Sequence, residues 1–259
     1  MAIDLIQAIL LGVLQGITEW LPISSSAHLA LAQILLKMDV PVVFDVMLHL
    51  GTLIAAIAFM REEIWRIIIA TLKFDRKSGD FKVAMLIILA TIPTAIIGFA
   101  FRGFFEQQFA NAVSIGVALI ITGIFLYYCD VGGKRGLDKK SAFVIGVAQG
   151  IAVMPGISRS GATIGTGLLM GIGREKAARF SFLLSIPAII GAAAFEIKDA
   201  QLDFSGLDTM AIGIGVSAIT GYLAIGFLID FVNKRGLRPF AYYCFAAGLL
   251  ALTAGWMAK

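Results

Sequence analysis

Long apolar runs alternate with short polar breaks along this chain, and six of the runs are long enough to cross a bilayer as helices. They cover residues 42–60, 83–101, 112–129, 178–197, 210–230 and 240–257, each close to the roughly 20 residues that about 30 Å of hydrocarbon requires. Two further apolar stretches, 5–36 and 142–170, are broken near their middles by proline, serine and charge. Each arm of such a stretch is about 13–17 residues, or about 20–25 Å at 1.5 Å per residue. An arm that short is expected to enter the membrane and turn back.

The two broken stretches are copies of one pattern. Gly12-Val13-Leu14-Gln15-Gly16-Ile17, then Ile23-Ser24-Ser25-Ser26, lines up 134 positions on with Gly146-Val147-Ala148-Gln149-Gly150-Ile151, then Ile157-Ser158-Arg159-Ser160. Eight of these fifteen positions are identical, and Pro22 and Pro155 fall within one place of register. Three crossings separate the copies, and an odd number sends the second hairpin in from the opposite face. The expected fold is an all-α integral membrane protein, six transmembrane helices plus two re-entrant helical hairpins in an inverted-topology repeat. It forms a single polytopic membrane domain over 1–259, with repeat halves of about 1–130 and 131–259.

Composition agrees with a lipid solvent: 59% of residues are hydrophobic and 15% charged, against roughly 45–50% and 25% in soluble domains. The mean hydropathy is +0.92. No basic n-region precedes the first apolar stretch, so no cleavable signal peptide is expected. Sixteen of the 21 Lys and Arg residues fall in segments 61–82, 134–140, 174–179 and 234–238, on one side of the membrane. Lys37, Arg102, Lys198 and Lys259 fall on the other, and Arg159 lies in the second hairpin turn. The positive-inside rule makes the basic side cytoplasmic, with both termini and the mouth of the first hairpin outside. This asymmetry accounts for the net charge of +4 without a nucleic-acid partner. Cys129 and Cys244 show no metal-ligand spacing and read as small core residues.

Ionisable groups at bilayer depth cost at least about 2.5–3.5 kcal/mol each and therefore point to function. The first hairpin carries Glu19 and His28, the second Arg159. Ser24, Ser25 and Ser26 after Pro22, and Ser158 and Ser160 after Pro155-Gly156, have the pattern of N-caps opening half-helices. Two such N-termini meeting at one place make an anion site. Arg159 adds a fork that fits phosphate oxygens, and Gly156 leaves the backbone room to approach a ligand. His28 is expected to be a general base or nucleophile. Gln15 and Glu19, four apart on one helix face, suit Mg²⁺ or Ca²⁺ bridging protein and phosphate. Asp45 and His49 share a face of the next helix, as cavity lining or a mutually stabilising pair. Glu62, Glu63 and Asp75 belong to a solvated loop. The glycines of 165–173 read as close packing, since no strand precedes them and no Gly-Lys-Ser/Thr follows.

At the level of residues two readings compete with an enzyme. Glu19 and Arg159 could form a purely structural ion pair, and a secondary transporter or lipid flippase could use the same inverted-repeat site.

Both motifs together, Gln15 to Glu19 with Pro22 to His28, and Pro155 to Thr163, resemble the undecaprenyl-pyrophosphate phosphatases, first noticed as bacitracin-resistance proteins. The resemblance covers essentially the whole chain. It implies a plasma-membrane enzyme whose site opens to the outer face. The enzyme removes the terminal phosphate from a polyprenyl pyrophosphate with the help of a divalent cation, and so recycles a lipid carrier for cell-wall or surface glycan synthesis. Carried over, Glu19 and Gln15 bind or orient the cation. Arg159, Ser158 and Thr163 grip the pyrophosphate, and Ser25 and His28 form nucleophile and base, in an order the sequence leaves open. Gln15 stands where many members have glutamate. Whether the protein forms a homodimer is also left open.

Overall fold

The computed structural model describes residues 3–131, 133–199 and 207–257, with the side chains of 197–199 and 257 left aside. Lys259 and the side chain of Lys198, both counted in the charge asymmetry, lie outside the described residues. Among the described residues there are twelve helices and no strand beyond one isolated bridge between Arg135 and Ile172. In chain order they are α1 (Leu5–Trp20), α2 (Ser25–Leu35), α3 (Val42–Phe59), α4 (Arg61–Leu72), α5 (Gly79–Ala100) and α6 (Arg102–Gln108). The second half holds α7 (Ala112–Cys129), α8 (Lys139–Ile151), α9 (Arg159–Leu169), α10 (Arg174–Asp199), α11 (Leu207–Arg235) and α12 (Arg238–Met257).

Six of these, α3, α5, α7, α10, α11 and α12, are long and apolar enough to cross a membrane. They contain the six predicted spans nearly residue for residue, and they extend past them into charged ends such as Arg174 and Arg235. Large apolar side chains stand exposed on the outside, Phe99, Leu223 and Leu250 among them. A continuous apolar exterior of that kind is the surface a bilayer covers. Inside, Phe180, Phe182 and Leu184 of α10 are buried at the centre of the largest core cluster, together with Trp20. Cys129 and Cys244 are buried and unpaired.

One segment departs from expectation. Residues read as a solvated loop form α4, whose first turn holds Glu62 and Glu63 where the helix dipole favours negative charge. Ile64 and Ile67 of α4 pack on the core while Trp65 is 64% exposed. Charged residues interleaved with isoleucines keep it below the run length that marks a span, yet they give it one apolar face.

α1 and α8 are built alike. Asp4 caps α1, its carboxylate accepting from the Gln7 N–H at 2.8 Å while the Gln7 side chain accepts from the Asp4 N–H at 3.2 Å. Asp138, 134 positions later, caps α8 through the same reciprocal pair with Ser141. The Ser141 backbone N–H is the main group holding the Asp138 carboxyl below its usual range. α1 then packs along α11 and α8 along α5. A Cβ added at Gly12 would lie 2.9 Å from the Gly213 carbonyl oxygen, and one at Gly146 only 2.1 Å from that of Ala90. Such small residues let backbones approach where no hydrophobic force drives helices together. Thr94 Oγ1 donates to the Gly146 carbonyl at 2.8 Å, and Thr220 Oγ1 reaches the matching Gly12 carbonyl at 3.5 Å.

Candidate active site

α1 stops at Trp20 because Pro22 pushes Leu21 into extended backbone, at φ −64° and ψ 142°. α2 opens at Ser24, the first of the three serines read as an N-cap pattern, and its Oγ accepts from the Ala27 N–H at 3.4 Å. Ser24 has φ +70°, a left-handed conformation uncommon for a residue with a Cβ. α9 opens at Ser158, which caps the Gly161 N–H at 3.0 Å. Gly156 before it has φ +96°, and a Cβ there would stand 2.6 Å from that of Ala118. Only glycine meets both conditions.

Three links then draw the two openings together. The Gly156 N–H donates to Ser24 Oγ at 3.2 Å, Ser160 Oγ donates to the Leu21 carbonyl at 3.0 Å, and the Arg159 guanidinium pairs with Glu19 Oε1. The openings of α2 and α9 are thereby joined through Ser24, Leu21 and Glu19. Ser26 Oγ lies 3.2 Å from Ser24 Oγ, and Ser158 Oγ lies 3.2 Å from Ser160 Oγ. Both pairs are part of the same polar seam.

Glu19 is the hub of this seam. Its Oε2 accepts from Ser25 Oγ at 2.6 Å and from Gln15 Nε2 at 2.9 Å, with His49 Nε2 3.6 Å away. Arg159 lies 5.4 Å over the Trp20 ring, and Trp20 meets Phe182 edge-on at 5.1 Å. The guanidinium is thus stacked as well as paired, and its side chain is 16% exposed. Its Nη1 is buried without a hydrogen-bond partner among the described residues, and so is Gln15 Oε1. Buried polar atoms are nearly always satisfied, so each of these calls for a partner that the described residues do not supply.

His28 is fixed at both ring nitrogens. Nδ1 lies 2.7 Å from the Ser24 carbonyl oxygen, and Nε2 lies 2.7 Å from the Tyr243 hydroxyl, whose ring stacks on the imidazole at 5.6 Å and 17°. A carbonyl only accepts, so Nδ1 carries the proton and Nε2 receives that of Tyr243. His28 and Tyr243 also help to line an apolar groove of about 450 Å³ walled by Leu10, Val13, Leu14 and Ile17.

The expected partnerships are rearranged in three places. Ser25 and His28 share no hydrogen bond in the structure: the serine donates to Glu19 and the histidine turns to Tyr243. Thr163 stands one turn inside α9, its hydroxyl bonded to the Arg159 carbonyl at 2.8 Å and to Ser181 Oγ at 2.6 Å. There it ties α9 to α10. Asp45 and His49 meet through the Asp45 backbone carbonyl, because both carboxylate oxygens accept from Gln33, at 3.0 and 2.9 Å. Tyr243, Trp20 and Gln33 were absent from the sequence reading. Tyr243 lies 215 positions from His28, and no local spacing announces such a pair.

Proteins of similar sequence match this chain over nearly its whole length. The family described as bacitracin resistance protein BacA matches residues 8–250. An undecaprenyl-diphosphatase of Carboxydothermus hydrogenoformans is 42% identical over 258 residues, covering 95% of each chain. One from Korarchaeum cryptofilum is 40% identical over 263 residues, covering 96% of this chain and 99% of the relative. A third, from Methanosphaera stadtmanae, is 40% identical over 274 residues, with 96% and 98% covered. A match of this extent, on a chain whose two polar turns meet at one buried carboxylate, places it: it belongs to the bacitracin resistance protein BacA family.

Proposed function

We infer that this protein is a membrane phosphatase that cleaves undecaprenyl diphosphate to the monophosphate and inorganic phosphate, returning the lipid carrier to cell-wall or surface glycan synthesis. Relatives carrying that name at 40–42% identity over nearly the whole chain support it. The observation that carries the chemistry is the unspent Nη1 of Arg159, a buried guanidinium nitrogen without a partner beside the first turns of two helices. A guanidinium takes phosphate oxygens two at a time, and the helix N-termini add backbone donors and the positive ends of their dipoles.

In this reading Arg159 and the first turn of α9 hold the diphosphate, with Ser158, Ser160 and Gly156 shaping the turn. Ser24 and Ser26 build the opposing first turn of α2. Ser25 Oγ and His28 Nε2 are the two reactive atoms facing the scissile phosphate. Glu19 draws the Ser25 proton toward itself and so raises the electron density on Oγ. The hydrogen on Nδ1 of His28, held by the Ser24 carbonyl, leaves Nε2 as the ring's basic atom. Phosphoryl transfer needs mainly position and charge neutralisation, and the diphosphate meets both here. The lipid tail follows the apolar groove that His28 and Tyr243 help to line.

The donor set also suits a hard divalent cation, Mg²⁺ or Ca²⁺. Glu19 Oε2 takes only the neutral donors Ser25 and Gln15 as hydrogen-bond partners among the described residues, and Gln15 Oε1 is buried and unpartnered. Such ions take one or two protein oxygens and fill the rest of the shell with water and phosphate. When bound, the cation would neutralise charge on the departing phosphate.

The short arms α1–α2 and α8–α9 are re-entrant in this reading, and the halves form an inverted repeat. The matched capping boxes and glycine contacts of α1 and α8 support it. The basic asymmetry supports a site that opens toward the outer face. A cysteine in place of Lys77 should be shielded from an impermeant thiol reagent in intact cells. Labelling from outside would reverse the orientation.

The function is tested with the detergent-purified protein and undecaprenyl diphosphate, by measuring phosphate release with and without chelator. Release that the chelator suppresses is expected. A protein that releases no phosphate, yet moves the lipid across vesicles, would be a carrier.

A further inference from the structure

Glu19 divides its two oxygens between unlike partners. Oε1 takes the Arg159 guanidinium. Oε2 faces Ser25, Gln15 and His49, and the last of these contacts is unexplained by hydrogen bonding. His49 Nδ1 lies 2.7 Å from the Asp45 carbonyl oxygen; since a carbonyl only accepts, Nδ1 carries the ring proton. In the neutral ring Nε2 is a bare lone pair, and it faces a carboxylate oxygen 3.6 Å away. Two acceptors set so repel each other unless a proton or a metal ion stands between them.

The distance fits the metal ion. It exceeds the range of about 2.7–3.2 Å for an N–H···O bond, but two ligand bonds of about 2.1 Å sharing one ion span it. The Nδ1 anchor is also the support that metal-binding histidines have, since donating the second nitrogen fixes the tautomer and the ring. Asp45, the next carboxylate along α3, is engaged by Gln33 through both oxygens. Among the described residues no group of three His, Cys, Asp or Glu gathers at one point. The donors are therefore mixed: one carboxylate, one amide oxygen and one imidazole.

We propose that His49 Nε2 is a ligand of the divalent cation held by Glu19 and Gln15, and that this nitrogen turns the site toward a first-row transition ion such as Mn²⁺ over Ca²⁺. The proposal rests on reading Glu19 and Gln15 as cation donors. Imidazole suits transition ions, whereas Ca²⁺ takes oxygen.

The chain has two histidines, His28 and His49, so a nitrogen signal from a bound metal has two sources. The untagged protein is loaded with Mn²⁺, binding is titrated by electron paramagnetic resonance, and bound Mn²⁺ is examined by electron spin-echo envelope modulation for imidazole nitrogen. Wild type should show the nitrogen modulation and His28→Gln should keep it. His49→Gln should lose it, with Mn²⁺ binding weakened at least about tenfold and the preference over Ca²⁺ reduced. Bound Mn²⁺ without nitrogen modulation in the wild type overturns the proposal, as does modulation that survives His49→Gln or failure to bind Mn²⁺ at all. Phosphate release is followed on the same preparations. Release without nitrogen modulation removes His49 and leaves the phosphatase; modulation without release removes the phosphatase and leaves His49.

Discussion

α1–α2 and α8–α9 begin alike, with an aspartate capping box, a glycine pressed on a neighbouring helix and a serine opening the second arm. They end differently. Every residue of α9 from Ser160 to Leu168 is buried, whereas α2 buries only Ala27, Leu29 and Ala30. Across the 134-residue offset Glu19 corresponds to Val153, Ser25 to Arg159 and His28 to Ala162. In the proposed mechanism the reactive groups, Ser25 and His28, stand on the half-open copy, and Arg159, the charge that would hold the substrate, stands on the closed one. Ser25 and Arg159, equivalent by position, both bond to Glu19. Under the proposed mechanism the two similar openings have unequal tasks, because one phosphate must be held while the other is attacked.

That division is exposed to direct tests. Ser25→Ala and His28→Ala should each lower kcat by at least about 10²-fold, the low end for a positioned acid, base or nucleophile. The double variant should be scarcely worse than the poorer single one, since such residues act as a unit. Affinity for a non-hydrolysable diphosphonate lipid should survive in both; its loss would mean the open copy also holds the substrate. Arg159→Lys should weaken the same analogue about tenfold, or about 1.4 kcal/mol, because a point charge cannot replace the planar fork. A fall in kcat with unchanged analogue affinity would put Arg159 among the reactive groups and erase the distinction. The smallest expected effect is that of Tyr243→Phe, which removes one hydrogen bond from His28. A loss of about 1 kcal/mol corresponds to about fivefold in kcat, with analogue affinity unchanged. No change in kcat would show that His28 needs no support from α12.

The parts of this arrangement that depend on local pattern were legible beforehand. The length of apolar runs located the six spanning helices, and the residues flanking Pro22 and Pro155 located the caps at Ser24 and Ser158. Glu19 and Arg159 could be paired because lone charges at that depth need partners. What stayed hidden depends on partners far apart in sequence. Tyr243 reaches His28 from the last helix, and Ser181 takes the Thr163 hydroxyl that the phosphate was expected to use. α4 was missed for another reason: its charges break the apolar run, and helices on a membrane surface carry both kinds of residue on opposite faces.

Ser24 is a position with no better occupant. Its φ of +70° would suit glycine, and relief of such strain is worth on the order of 1–3 kcal/mol. Glycine, however, would remove the oxygen that receives both the Ala27 and the Gly156 N–H groups, and with it one of the three links between the two halves of the site. Alanine would keep the strain and lose the oxygen. Stability and function pull this residue in opposite directions. A screen for heat resistance should therefore be drawn to glycine at position 24, and the variants it collects there should be sturdier proteins and poorer catalysts.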